Sequence, residues 1–257
     1  MRHLNVPIRP RHLKGAWPNP CYFGGMSAHF RPVNDKARLL AHFGVTLEDA
    51  ASWPEEANPQ DVAPIIRRAP EHAGARQGLL ASFGLLPHWA RDPTLARRTY
   101  NARSETAMDK QNFREAWAKG QRCAVPAECI YEPALDAQER GGRWQLSRRD
   151  GQPMLLAGLW SRGWSPSGAA VMTFTLLTVD ASQHPLGGHL QRPGEEARMV
   201  AMLTPDELDD WLECESERML AMLRTRPAEE LQLTPAPPPT ARHAPTRISN
   251  IKGDVLI

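Results

Sequence analysis

Hydrophobic spacing along the chain separates strand-like runs from helix-like ones. Runs with strand character fall at Leu79–Leu86, Arg122–Val125, Trp144–Arg148, Met154–Trp160, Met172–Val179 and Met199–Leu203, each apolar and bounded by turn residues. Helical spacing appears in three places. Asn34 and Asp35 precede Ala37, Leu40 and Phe43, with Gly44 just after, which predicts a short capped helix with a glycine stop. Asp109 to Gly120 repeats the pattern, with Phe113 and Trp117 four apart. Thr204-Pro205-Asp206-Glu207 reads as a capping box with proline at the first helical position, and Leu208, Trp211 and Leu212 share one face. The turns between several strands are too short for crossover helices. An α+β domain is expected, with a mostly antiparallel, β-rich core and short peripheral helices.

Composition changes this picture little. At 257 residues, 41% hydrophobic and 23% charged, the chain excludes wholesale disorder and fibrous repeats. It divides into a basic, Pro-rich extension (1–25), a single-domain body (26–224) and a Pro-rich tail (225–257). No apolar run approaches the length of about 18 residues that a spanning helix needs, so no membrane partner is expected. Thirty-one Lys+Arg against 29 Asp+Glu leave a charge of +2. Bulk charge therefore announces no nucleic-acid partner, and only local clustering could. Cys21, Cys123, Cys129 and Cys214 are expected as reduced thiols in a cytoplasmic protein; their spacing fits no zinc site, and neither a metal nor a cofactor is expected.

Two polar segments interrupt the apolar pattern. Tyr100-Asn101-Ala102-Arg103-Ser104-Glu105-Thr106, taken alone, reads as a loop with an Asn turn. Arg122 to Pro133 carries Glu132 at the end of an apolar strand, where a carboxylate is either a rim charge or an acid whose pKa apolar walls have raised. These segments, with Phe83-Gly84-Leu85-Leu86-Pro87-His88-Trp89-Ala90 and Ala157-Gly158-Leu159-Trp160, occur in an order that resembles the SOS response-associated peptidase family. Met26-Ser27-Ala28-His29-Phe30 resembles that family's start, and Arg198 to Leu203 its last core strand, so the likeness spans roughly residues 26 to 215.

The resemblance implies a groove for single-stranded DNA and a covalent crosslink to abasic sites, made by the residue that follows the initiator Met. An open abasic sugar is an aldehyde, and an α-amine with a pKa of about 8 forms a Schiff base with it. In the family the residue is Cys, whose thiol then closes a thiazolidine ring. Glu132 matches the family acid that moves protons. Asn101 matches the Asn that holds nucleophile and sugar oxygens, and Arg103 the arginine set for phosphate. Trp89 matches an aromatic near the groove, either stacking a base or half-buried in the core. Arg67, Arg68, Arg97 and Arg98, with Arg76 and Arg91, are scattered surface charge by themselves and a phosphate-tracking strip under the resemblance.

Three departures stand out. Ser27 occupies the Cys position, and a hydroxyl is a weaker nucleophile than a thiol. Gln191, ahead of Arg192-Pro193-Gly194, aligns with the family's catalytic His and cannot shuttle a proton; His189 could substitute only in a remodelled loop. The extension before Met26 leaves Ser27 no free amine unless translation starts at Met26 or the extension is removed. Three readings follow: a crosslinker of abasic sites in single-stranded DNA, a homologue that binds such DNA without crosslinking, and a peptidase limited to self-processing through Ser27. A monomer is expected in each.

Overall fold

A computed structural model describes residues 29–47, 52–70, 72, 74–135, 141–165, 167–190 and 196–237. Among these residues the strands are β1 (His29–Pro32), β2 (Val62–Arg68), β3 (Arg76–Phe83), β4 (Asn101–Arg103), β5 (Arg122–Leu135), β6 (Gly141–Arg148), β7 (Met154–Trp164), β8 (Ala170–Asp180), β9 (Arg198–Val200), β10 (Met202–Leu203) and β11 (Leu231–Pro235). The α-helices are α1 (Lys36–Phe43), α2 (Arg114–Ala118), α3 (Gly187–Leu190), α4 (Leu208–Glu213) and α5 (Ser216–Met222). The α+β class and its mostly antiparallel sheet follow the sequence expectation; only β3–β8 and β4–β8 pair in parallel.

The sheet closes on itself. β5 pairs with both β2 and β7, and β7, β8, β3 and β2 pair in succession, so these five strands form a barrel. Alternation then sorts side chains into two cores. Ile65, Cys123, Val125, Leu156, Phe174 and Leu176 point inward, while Ile66, Ala124, Leu155 and Leu177 point outward, where α1, α2 and α4 cover them. Aromatic rings fill the interior. Phe83 stacks on Phe174 at 5.1 Å, and Phe30 meets Phe83 edge-on at 5.3 Å.

β5 differs most from its sequence reading. A strand ending at Val125 was the natural expectation with proline next, yet β5 runs on for 14 residues in all. It changes partners there: Arg122 to Ala127 pair with β7 and Ile130 to Leu135 with β6, while β1 pairs with positions between Ala127 and Tyr131 on the other edge. Arg31 pairs with Cys129 and Pro32 with Ala127, so Glu128 is an extra residue that bends the strand. Proline suits such an irregularity because it has no N–H to lose from the ladder. Its carbonyl accepts from Val33 N–H at 3.2 Å.

Other differences have equally local causes. The run at Leu79–Leu86 ends as a strand at Phe83, because Gly84 turns the chain at φ +114 and a Cβ there would lie 2.3 Å from the Ala96 carbonyl. Of the helix expected from Asp109 to Gly120, only Arg114–Ala118 is α-helical; hydrogen-bonded turns precede it. Met199–Leu203 splits into β9 and β10 around Ala201, whose N–H goes to Leu177 and whose carbonyl takes Ala157 N–H. The expected tail contributes β11, an edge strand on β6. By contrast, α1 starts at its Asp35 cap and stops at left-handed Gly44. The Glu207 carboxylate accepts Thr204 N–H at 2.8 Å, and Trp211 of the helix it starts donates to Cys123 O at 2.9 Å, fastening α4 to the barrel.

Phe174 touches two other rings and is fully buried, so Phe174→Ala should cost about 3–5 kcal/mol of unfolding free energy in urea titration. A loss under 1 kcal/mol, within the reach of about one methylene, would mean the interior is not packed as described.

Candidate functional site

β5 and β8 both run antiparallel to β7, hence parallel to each other, and their C-terminal ends open at one rim of the barrel. At that rim β3 has already ended, and the vacated place beside β8 is taken by β4. A 3-10 turn (Pro93–Arg98), capped by Asp92, leads into it. Tyr100 O accepts Leu176 N–H at 2.9 Å, and Asn101 and Arg103 then lie opposite Leu176 and Thr178. Arg97 and Arg98 are exposed just ahead, with Arg97 Nε donating to Gln60 Oε1 at 2.9 Å.

Glu132 sits on the outer half of β5 and is only 2% exposed, opposite Trp144 of β6. Its backbone is held from the other face. There Tyr131 lies under the Arg143 guanidinium, 3.6 Å from ring centroid to Cζ, and Arg31 donates to its hydroxyl at 2.9 Å. Arg143 is in turn paired with Glu56 at 2.7 Å, both side chains nearly inaccessible. On the other edge β1 runs antiparallel into this region, with His29 opposite Tyr131, one position from Glu132. Asn101 and Arg103 thus lie beside the C-terminal half of β8, with Arg97 and Arg98 just ahead of them, and Glu132 lies past the irregularity of β5, one position from where β1 begins.

Two ion pairs cross this rim from β4 to the segment that enters β9. Arg103 Nη1 lies 3.0 Å from Glu196 Oε2, with both side chains well exposed. Arg198 Nη2 lies 2.7 Å from Glu105 Oε2 and is itself buried, donating also to Thr178 O at 2.7 Å. Burial pushes the Glu105 carboxyl up, but the Arg198 hydrogen bond and Asp180 N–H more than offset it and hold the group below its ordinary value. Sequence reasoning missed Glu196 and the role of Arg198. The signal was present: Arg103-x-Glu105 and Glu196-x-Arg198 place opposite charges at alternate positions in two segments, which lead from and into the strands on either side of β8.

The expected arginine strip is not one surface. Arg67 and Arg68 are neighbours on β2 and face opposite ways. Arg67 stacks over Trp160, 4.5 Å from its centroid, near the starts of β3 and β5 at the far end of the barrel from Arg103. Arg68 is outside, bound to Asp209 at 3.1 Å and Glu213 at 2.6 Å on α4, so its charge serves helix packing. Trp89 is 41% exposed. Its loop is fastened by Trp164 Nε1 to His88 O at 2.9 Å, at the end of β8 opposite to Arg103. His189 is exposed on α3, which packs against β5. Ser27 and Gln191 lie outside the described residues.

The family model of the SOS response associated peptidase (SRAP) matches residues 26–239. The abasic site processing protein HMCES of Gallus gallus is 28% identical over 210 residues, covering 69% of this chain and 59% of that protein. The abasic site processing protein YoqW of Bacillus subtilis is 28% identical over 51% of this chain and 54% of its own length. The chain therefore spans only between half and three-fifths of these relatives. A Bordetella bronchiseptica crystal structure superposes with a TM-score of 0.73 at 31% identity, covering 82% of this chain and 99% of that one. A Bacteroides thetaiotaomicron structure shares the fold with a TM-score of 0.67 at 21% identity.

Cys123, Cys129 and Cys214 are all buried, and burial pushes each thiol up, keeping it protonated through the ordinary range. Iodoacetamide at pH 8 should leave these three unmodified in native protein and label all three in urea, read by peptide mass mapping. Native labelling at Cys129, beside Tyr131, would show that the outer half of β5 opens.

Proposed function

The chain belongs to the SOS response associated peptidase family, and on that premise we propose that it recognises abasic sites in single-stranded DNA and captures them covalently through the amine of Ser27. The observation that supports this reading is the burial of Glu132 on β5, one position from where β1 begins opposite Tyr131, in a chain that also carries Asn101 and Arg103 on β4.

Each residue has a definable task. The Arg103 guanidinium, with Arg97 and Arg98, meets phosphates of the strand, where a planar fork of donors matches the oxyanion. Asn101 holds a sugar oxygen. Glu132 delivers the proton that opens the sugar ring and removes water from the carbinolamine as the C=N bond forms. Ser27 supplies the nitrogen. Its hydroxyl then adds to the imine carbon to close an oxazolidine, a ring that reverses more easily than the thiazolidine a thiol would make. Wherever Ser27 still follows Met26 its nitrogen is an amide, so capture requires a chain that begins at Ser27.

One observation favours a second reading, binding without capture. The three described thiols are buried and protonated, so none of them stands in at the rim for the missing cysteine.

The two readings separate in one experiment. A chain trimmed to begin at Ser27 should give a borohydride-trapped adduct with an abasic single strand, and Glu132→Gln should suppress the adduct while leaving affinity within about twofold, since binding rests on phosphate contacts. Arg103→Ala should weaken binding to abasic and intact strands alike and flatten the dependence of log K on log salt by about 0.7. No trapped adduct from the trimmed chain, with binding intact, selects the second reading; binding that ignores salt removes both.

A further inference from the structure

The phosphate-seeking arginine of the rim already has an anion. Arg103 Nη1 is 3.0 Å from Glu196 Oε2, so a strand phosphate and this carboxylate compete for one guanidinium. The two halves of the crossing differ in a way that suits exchange. Arg198 is 5% exposed, with bonds to Glu105, Thr178 Oγ1 and Thr178 O, and the backbone beside it is fixed by Ala181 N–H to Ala197 O at 2.8 Å. That half pins the main chain of Glu196. The Arg103–Glu196 half is solvated on both sides, with side chains 56% and 64% exposed, so it separates without unfolding anything. Exposed pairs of this kind are worth little, about 1 kcal/mol or less. That is enough to occupy the guanidinium at rest and too little to hold it against a phosphate diester with neighbouring arginines.

From this geometry we infer that Glu196 is a built-in competitor at Arg103 and sets the affinity of the rim for single-stranded DNA. Binding exchanges one anion for another at Arg103. The released carboxylate then stands close to the incoming strand and repels it. Both effects tax every strand equally, so the residue lowers retention on undamaged DNA, where no covalent bond compensates, more than on a strand that is captured. The inference rests on the reading of Arg103 as a phosphate contact.

The test uses Glu196→Gln, Arg103→Ala and the double variant, all at exposed positions, and fluorescence anisotropy with an intact single-stranded oligonucleotide and its abasic counterpart. Glu196→Gln should tighten binding of both strands about two- to fivefold at low salt, matching the worth of an exposed pair. The gain should shrink above about 0.15 M salt, where exposed charges are screened. In the Arg103→Ala background it should fall below about 1.5-fold, because the competed group is gone. Unchanged or weaker binding by Glu196→Gln, with Arg103→Ala still impaired, overturns the inference and leaves the proposed function standing. An equal gain with and without Arg103 also overturns it, since Glu196 would then act as a distant charge. If Arg103→Ala binds normally, the assignment of Arg103 under the proposed function fails first.

Discussion

The change of partners along β5 governs the arrangement of everything at the rim. Up to Ala127 the strand closes the barrel against β7; beyond the extra residue Glu128 it pairs instead with β6, which carries β11 on its far edge, and with β1. A straight strand would have continued around the barrel wall. The bend carries Glu132 outward while leaving it covered, and gives β1 an edge to pair with. The polar face behind it, where Arg143 lies over Tyr131 and binds Glu56, stiffens a stretch that has left the main core. Replacing one member of so buried a pair leaves an uncompensated charge, so this support resists drift.

Charge at the surface is partitioned by function. Arg68 and Arg76 are engaged by Asp209, where they hold α4 against the end of β2 and β3. Arg67 covers an indole at the distal end. Arg97, Arg98 and Arg103 remain exposed, a small group whose local field the near-neutral total of +2 conceals. Acids are woven into the same region, Glu105 fixed and Glu196 exchangeable, so its potential depends on which pairs are closed.

How much of this was legible in the chain follows from the range of each signal. Local chemistry read correctly: the Asp35 cap, the Gly44 stop and the Thr204–Glu207 box each satisfy backbone groups within four residues. Elements that depend on distant partners did not. β4 has three residues, two of them polar, and exists because β8 offers an edge there. β2 contains Pro64, and β11 lies in a stretch whose prolines suggested a linker. Glu132 and Asn101 could be named from family motifs, but the burial of Glu132 on a strand that continues past an irregularity could not. The arginines misled for a simpler reason: adjacency in sequence means opposite faces on a strand, so Arg67 and Arg68 could never share a surface.

The ring-filled barrel has a consequence for the kind of molecule this protein can hold. Among the described residues, Phe30, Phe83 and Phe174 pack against one another and fill the middle of the barrel with rings. Under the proposed function a ligand would then be gripped along an edge, by a few weak contacts per unit length, and a chain molecule offers repeats enough to add them up. A free sugar aldehyde presents the same reactive carbon with none of that length, and would compete poorly for such an edge.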